Sequence, residues 1–176
     1  LHLIRNEGYK PDYVVITEPT NLAVYRGHRG RVELKVVTKG RSCHASAPER
    51  GINAVVNMAD IAKEVTALDK RLKNDRFLGK GTVAVTKIEC QTPSLNAVPD
   101  ECTIYLDRRL TAGESMRLAV SQVARLPSVR KHKGKVEVLR YDAVAWTGLK
   151  VGQEKYYPTC LLPENHKLVR AAVNAA

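Results

Sequence analysis

Aromatic residues are scarce in this sequence: one Trp, one Phe and seven Tyr in 176 residues. A core must therefore be filled by Val, Leu, Ile and Ala. The same scarcity weighs against a single-strand nucleic-acid binder, which needs stacking rings beside its cations, even though the formal net charge is +11. The basic residues are scattered, apart from the run Arg130, Lys131, His132, Lys133 and Lys135, which reads as a solvated face; no nucleic-acid partner is expected. The four cysteines, at 43, 90, 102 and 160, form no Cys-x-x-Cys pair, which leaves a zinc ribbon or a thioredoxin-like site without support. They read as buried thiols, with Cys90 and Cys102 able to face each other across a hairpin. No apolar run is long enough to span a bilayer and no signal peptide is visible, so no membrane partner and a cytoplasmic location are expected. Internal repeats and low-complexity tracts are also missing.

What is present is a chain that is 44% hydrophobic and 27% charged, a composition able to bury a core. Residues 13–17 are a short continuous apolar run, as in a strand buried on both faces of a parallel sheet, and Pro19 ends it. Residues 31–37 alternate polar and apolar, the pattern of a half-buried strand, as do 82–88, 101–107 and 135–141. A helix is predicted over 53–68, with Val55, Met58, Ala59, Ala62 and Val65 at helical spacing. A second runs from the capping box Thr111-Ala-Gly-Glu114 to Leu126, where Pro127 stops it. From 27 to 141 the order is strand, helix, strand, strand, helix, strand. This is the split βαβ, ferredoxin-like arrangement, an α+β fold with two helices on one face of a four-stranded antiparallel sheet. Three parts are expected: 1–22 and 142–176 as strips of a different α/β domain, and 23–141 as a unit inserted into it. The chain opens at Leu1 without Met and closes in the middle of a helical pattern, so both ends read as cuts.

Single residues leave the chemistry open. Glu18 follows a buried strand, where α/β proteins put ligand-binding groups, but an exposed turn carboxylate explains it as well. His44 sits in a loop of small polar residues and reads equally as a surface histidine. Asn96 lies in a turn, where Asn is common for backbone reasons. Arg109 stands beside Arg108 and Asp107, and a surface ion pair would account for all three.

Taken together, the segments resemble one family. Val15-Ile-Thr-Glu-Pro-Thr20 resembles its Glu-Pro-Thr/Ser motif. Gly40-Arg-Ser-Cys-His-Ala-Ser-Ala-Pro-Glu-Arg-Gly-Ile-Asn-Ala54 resembles its Gly-x-x-x-His-x-x-x-Pro-x-x-Gly-x-Asn-Ala motif. Asn96-Ala-Val-Pro-Asp100 and Asp107-Arg-Arg109 resemble its Asn-x-Ile-Pro and Asp-x-Arg pair, with Val98 where Ile is more usual. The family is that of zinc-dependent amide hydrolases: carboxypeptidase G, acetylornithine deacetylase, succinyl-diaminopimelate desuccinylase and aminoacylase. The segments 26–30, 46–50, 77–81 and 107–111 look most similar to its selenium-metabolism-associated branch.

The resemblance implies that 23–141 is a lid and dimerisation domain and that the chain is an internal piece of a longer metallohydrolase. It implies zinc, two ions per active site or another divalent metal, with Glu18 as one carboxylate ligand. His44 would stabilise the oxyanion in the partner subunit's active site, Arg109 would grip a substrate carboxylate, and Asn96 would add a polar contact. The remaining metal ligands and the general base would lie outside this sequence. The chain alone is then expected to bind zinc weakly or not at all and to hydrolyse nothing. A homodimer and a small carboxylate-bearing substrate are the implied partners. For residues 13–17 the expectation is disorder, pairing with another chain, or membership of a longer sheet. The competing reading is a stand-alone ferredoxin-like interaction or ligand-sensing module.

Overall fold

The computed structural model describes residues 2–176. Its centre is an antiparallel sheet of four principal strands: β1 (Gly30–Lys39), β2 (Thr82–Gln91), β3 (Glu101–Leu110) and β4 (Lys135–Val138). The order across the sheet is β4-β1-β3-β2. Two crossovers, through α1 (Ala54–Asp69) and through α2 (Met116–Ala124) followed by α3 (Pro127–Lys131), make the expected ferredoxin-like α+β topology.

Alternation along the strands decides the two faces. On β1, Val32, Leu34, Val36 and Thr38 are fully buried, while the residues between them are partly exposed. On β3, Cys102, Ile104, Leu106, Arg108 and Leu110 lie on the same covered face. The opposite face is a lattice of charge pairs: Lys35 to Glu137 at 2.9 Å, Lys155 to Glu33 at 2.8 Å, Lys87 to Glu89 at 2.5 Å, and Lys39 with Glu101. Tyr105, the aromatic ring on that face of β3, donates its hydroxyl to Glu89 at 2.7 Å.

Helix α1 begins where the side chain of Asn53 accepts from the amides of Val55 (2.9 Å) and Val56 (3.2 Å), a strong N-cap. Its buried stripe is Ala54, Met58, Ile61, Val65 and Leu68, at steps of four and three. Ala59, expected on that stripe, is exposed, because the stripe is centred one position away. Helix α3 is capped across the fold by Glu64 of α1, whose carboxylate accepts from the Ser128 amide at 2.9 Å.

Several expectations are corrected. The second helix starts at Met116, capped by Ser115, not at the proposed box. Glu114 does accept from the Thr111 amide at 2.8 Å, but the Thr111 hydroxyl donates to the Gly79 carbonyl at 2.7 Å. Pro127 opens α3, as proline at a first helical position can. The fourth strand stops at Val138, and Arg140–Tyr141 pairs instead with Gln153–Glu154. Residues 13–17 carry no strand pairing, and Val14, Val15 and Ile16 are 63–75% exposed; no described strand lies beside them. The cysteines are not all buried: Cys102 is, Cys43 is intermediate, and Cys90 and Cys160 are exposed, all as free thiols. Cys90 and Cys102 do stand opposite each other in register.

The outer edge of β1 is closed by β4 and then by Tyr156–Tyr157, which pairs with Arg31 and Val32. The other edge of the sheet is β2. A bulge between Val85 and Lys87 shifts its side-chain phase. Among the described residues no strand pairs with its outer side. Val85 and Ile88, on the helix-bearing face, are 37% and 57% exposed.

Candidate functional site

The loop 40–53 is shaped by its two glycines. A Cβ on Gly40 would fall 2.0 Å from the Ile52 carbonyl oxygen, and one on Gly51 would fall 2.6 Å from Cys43 Sγ and 2.8 Å from the Arg41 carbonyl. Only Gly tolerates such backbone approaches. They let the chain double back so that Arg41 and Ile52 exchange hydrogen bonds at 2.9 Å each way. Pro48 opens a single helical turn, Pro48–Arg50, and Asn53 then caps α1. The spacing of the Gly-His-Pro-Gly-Asn motif is thus a folding instruction that leaves His44 at the outer tip.

The second loop docks on the first. The Ala45 amide donates to the Asn96 carbonyl at 2.8 Å, the Val98 amide to the Cys43 carbonyl at 2.8 Å, and His44 bridges Ala97. Val98 is buried and anchors the loop, which accounts for an aliphatic residue at that position. The Thr92 hydroxyl donates to the carbonyls of Ser94 (2.8 Å) and Ala97 (3.2 Å), bracing the turn. The Ser94 hydroxyl donates to the Asn96 side-chain oxygen. His44 and Asn96 are therefore neighbours, and both are exposed.

The imidazole has a defined tautomer. The Ser46 amide donates to His44 Nδ1 at 3.1 Å, and the Ser46 hydroxyl lies 2.7 Å from the same nitrogen. A backbone N–H only donates, so Nδ1 is the acceptor and the neutral ring carries its proton on Nε2. That nitrogen is left as a hydrogen-bond donor. Ser46 is the residue that the sequence reading missed; its place two positions after the histidine was the available signal.

Arg109 lies elsewhere. Its Nε donates to Asp107 Oδ1 at 2.7 Å and its Nη2 to Asp107 Oδ2 at 3.2 Å. This is the ion pair that position alone allowed, with the Arg109 side chain 43% exposed. Arg109 sits near the far end of β3 from the Asn96 loop; at the rise of an extended strand the eight steps from Glu101 amount to about 27 Å. One chain brings His44 and Asn96 together and does not bring Arg109 to them. Glu18 is exposed in an irregular stretch. Among the described residues no three His, Cys, Asp or Glu side chains come together to hold a metal ion. The residues of this chain by themselves do not fit the implied zinc site. No helix among the described residues is long and apolar enough to cross a membrane.

Comparison with known proteins adds the family. Residues 26–135 match the peptidase dimerisation domain. The uncharacterised protein YgeY of Escherichia coli is 46% identical over 174 residues, which are 99% of this chain and 43% of that protein. An acetylornithine deacetylase of Vibrio atlanticus is 39% identical over 71 residues, 40% of this chain and 19% of the relative. The chain thus spans less than half the length of these relatives. A tripeptidase structure from Staphylococcus aureus superposes with a TM-score of 0.57 at 20% identity, covering 86% of this chain and 35% of that one; at that identity the likeness concerns the fold alone. The sheet order, the two crossovers and a family match over more than half of the residues lead to one conclusion: this chain belongs to the peptidase dimerisation domain family.

Proposed function

We propose that the chain is the dimerising lid of a longer metal-dependent hydrolase that cleaves an amide bond in a small N-acyl amino acid or peptide-like substrate. In this reading residues 1–22 and 142–176 belong to the catalytic α/β part and 23–141 to the lid. The zinc ions, or another divalent metal, are held largely by residues outside this sequence, with Glu18 contributing one carboxylate. When bound, the metal would polarise the scissile carbonyl and activate water. The reading keeps the cytoplasmic location expected from the sequence, and it takes the chain alone to be inactive.

The observation that carries the proposal is the exposed His44, whose Nδ1 accepts the Ser46 amide. An imidazole whose Nδ1 is held by Ser46 offers Nε2 as a directional donor, suited to an oxygen that gains negative charge. Asn96, on the adjoining loop, would offer an amide to the same oxygens. The separation of these two from Arg109 supports a site assembled from two subunits, with the His44 end serving the partner and Arg109 binding the substrate carboxylate at its own end. The open outer side of β2, with Val85 and Ile88 exposed beside it, supports a two-fold interface through that edge, since an unpaired strand edge favours pairing with a second copy.

Light scattering on wild type and His44→Ala tests the reading. A dimer is expected for both, because the imidazole serves chemistry and not the interface. A monomeric wild type, or dissociation caused by His44→Ala, would count against a trans-acting histidine.

A further inference from the structure

Two of the branch-like segments, 26–30 and 77–81, have no part in the proposed chemistry, yet they meet each other beside the third, 107–111, at one place. The chain comes into the sheet unit through 26–30 and leaves it through 156–162, and these two stretches pair with each other. Gly27 faces Leu161 and His28 faces Cys160, while the Leu162 amide donates to the Arg26 carbonyl at 2.8 Å. The glycines permit the contact: a Cβ on Gly27 would lie 2.5 Å from the Cys160 carbonyl oxygen, and one on Gly30 2.6 Å from that of Tyr157.

A hairpin grips this ribbon from the side. Asp75 accepts the amides of Phe77 (2.9 Å) and Leu78 (2.8 Å), and these hydrogen bonds hold its carboxyl below the usual range. They present the Phe77 ring to the Arg26 guanidinium, 4.1 Å from the ring centroid. The same guanidinium donates to the Leu162 carbonyl at 2.5 Å and to Glu164 at 3.1 Å. Arg29 donates to the Lys80 carbonyl at 3.0 Å, and Lys80 is tied to Asp69 at the end of α1 by bonds of 2.7 and 2.8 Å. On the other side the Thr159 hydroxyl lies 3.2 Å from both the Gly30 amide and the Leu110 carbonyl, next to Arg109. Beyond the ribbon the flanks touch again, Tyr13 edge-on to His166 at 5.9 Å.

We infer that these segments form a clasp: Arg26, stacked on Phe77, locks the incoming and outgoing stretches into one ribbon and sets the direction in which the flanks leave the sheet. Arg26 is suited to this because it joins three partners from two distant stretches, and its guanidinium stacks and donates at once. Both flanks then turn as one body about the ribbon, and Thr159 keeps Arg109 in fixed register with them. The consequence for Arg109 rests on the proposed function; the clasp itself does not.

The test is residue-resolved amide exchange on this chain as wild type, Phe77→Ala and Phe77→Tyr. For loss of an exposed-to-partly-desolvated cation–π contact, Phe77→Ala is expected to speed exchange at Leu162 and Gly30 by about five- to tenfold. The Leu34 and Ile104 amides in the sheet stay at wild-type rates, and Phe77→Tyr restores protection at Leu162. Unchanged exchange at Leu162 in Phe77→Ala would overturn the clasp. So would equal acceleration at Leu34 and Ile104, which would make Phe77 a residue of general stability. A failure of the dimer test above leaves these outcomes untouched, so the two ideas stand or fall separately.

Discussion

The sharpest stability prediction concerns a charge that the fold buries. The side chains of Arg108 and Glu114 are 0% and 1% exposed. Arg108 Nη2 donates to Glu114 Oε1 at 2.6 Å and to Gln122 Oε1 at 3.1 Å, Nη1 donates to the Arg109 carbonyl, and Nε has no acceptor among the described residues. Glu114 Oε2 also takes the Thr111 amide at 2.8 Å. Glu114→Gln keeps the volume but removes the countercharge, and its one remaining carbonyl oxygen must serve two donors. Breaking a buried ion pair from one side costs about 3–5 kcal/mol; because one hydrogen bond survives, the lower end, about 3 kcal/mol, is expected. With a urea m-value of about 2 kcal/mol/M the midpoint falls by about 1.5 M. Urea unfolding followed by circular dichroism reads this directly. The charge-free pair Arg108→Met with Glu114→Leu should recover most of the loss, because apolar replacement of a buried pair is close to neutral. A Glu114→Gln midpoint within about 0.5 M of wild type, or a double variant no better than the single one, would refute the account of Arg108 as a buried charge neutralised chiefly by Glu114.

Two further outcomes follow from the charge lattice and the thiols. Glu137, hydrogen-bonded by Lys135 and Lys35, has its pKa lowered from 4.5 to about 2. A carboxyl depressed on folding contributes stability that is complete above its unfolded value and is lost as pH falls through the folded one. Stability should therefore decline from about pH 4.5 towards pH 2, and Glu137→Gln should flatten that part of a pH series of urea midpoints. Burial, reinforced by Cys90, pushes the Cys102 thiol up, so in the isolated chain a maleimide should label Cys90 quickly and Cys102 only on unfolding. Mass spectrometry of the labelled peptides checks this, and equal labelling rates would contradict the packing of Cys102.

The strands and helices were legible because each has its own period. Val32, Leu34 and Val36 alternate, and Met58, Ile61, Val65 and Leu68 recur at helical steps, so local pattern and global burial agree. The second helix was misjudged at its start because a Thr-x-x-Glu signature states only half of the bargain. Glu114 does reach back to the Thr111 amide, but its other oxygen is claimed by Arg108, and the Thr111 hydroxyl by Gly79. Residues 13–17 read as a buried strand because their composition is that of one; pairing requires a neighbour that composition does not supply. The loop motif around His44 was visible as spacing, while the reason for that spacing, backbone passing within 2.0 Å of where a Gly40 side chain would be, is a tertiary fact.

By itself the sequence determined the strand, helix, strand, strand, helix, strand order, the buried faces of β1 and β3, the start of α1 near Asn53 and the loop that carries His44, since all of these follow from local periodicity and backbone sterics. Only the tertiary structure decided the nearness of Asn96 to His44 and the distance of Arg109 from both. It alone brought 26–30, 77–81 and 107–111 to one clasp, because those relations join residues remote in sequence whose proximity is set by strand order and register.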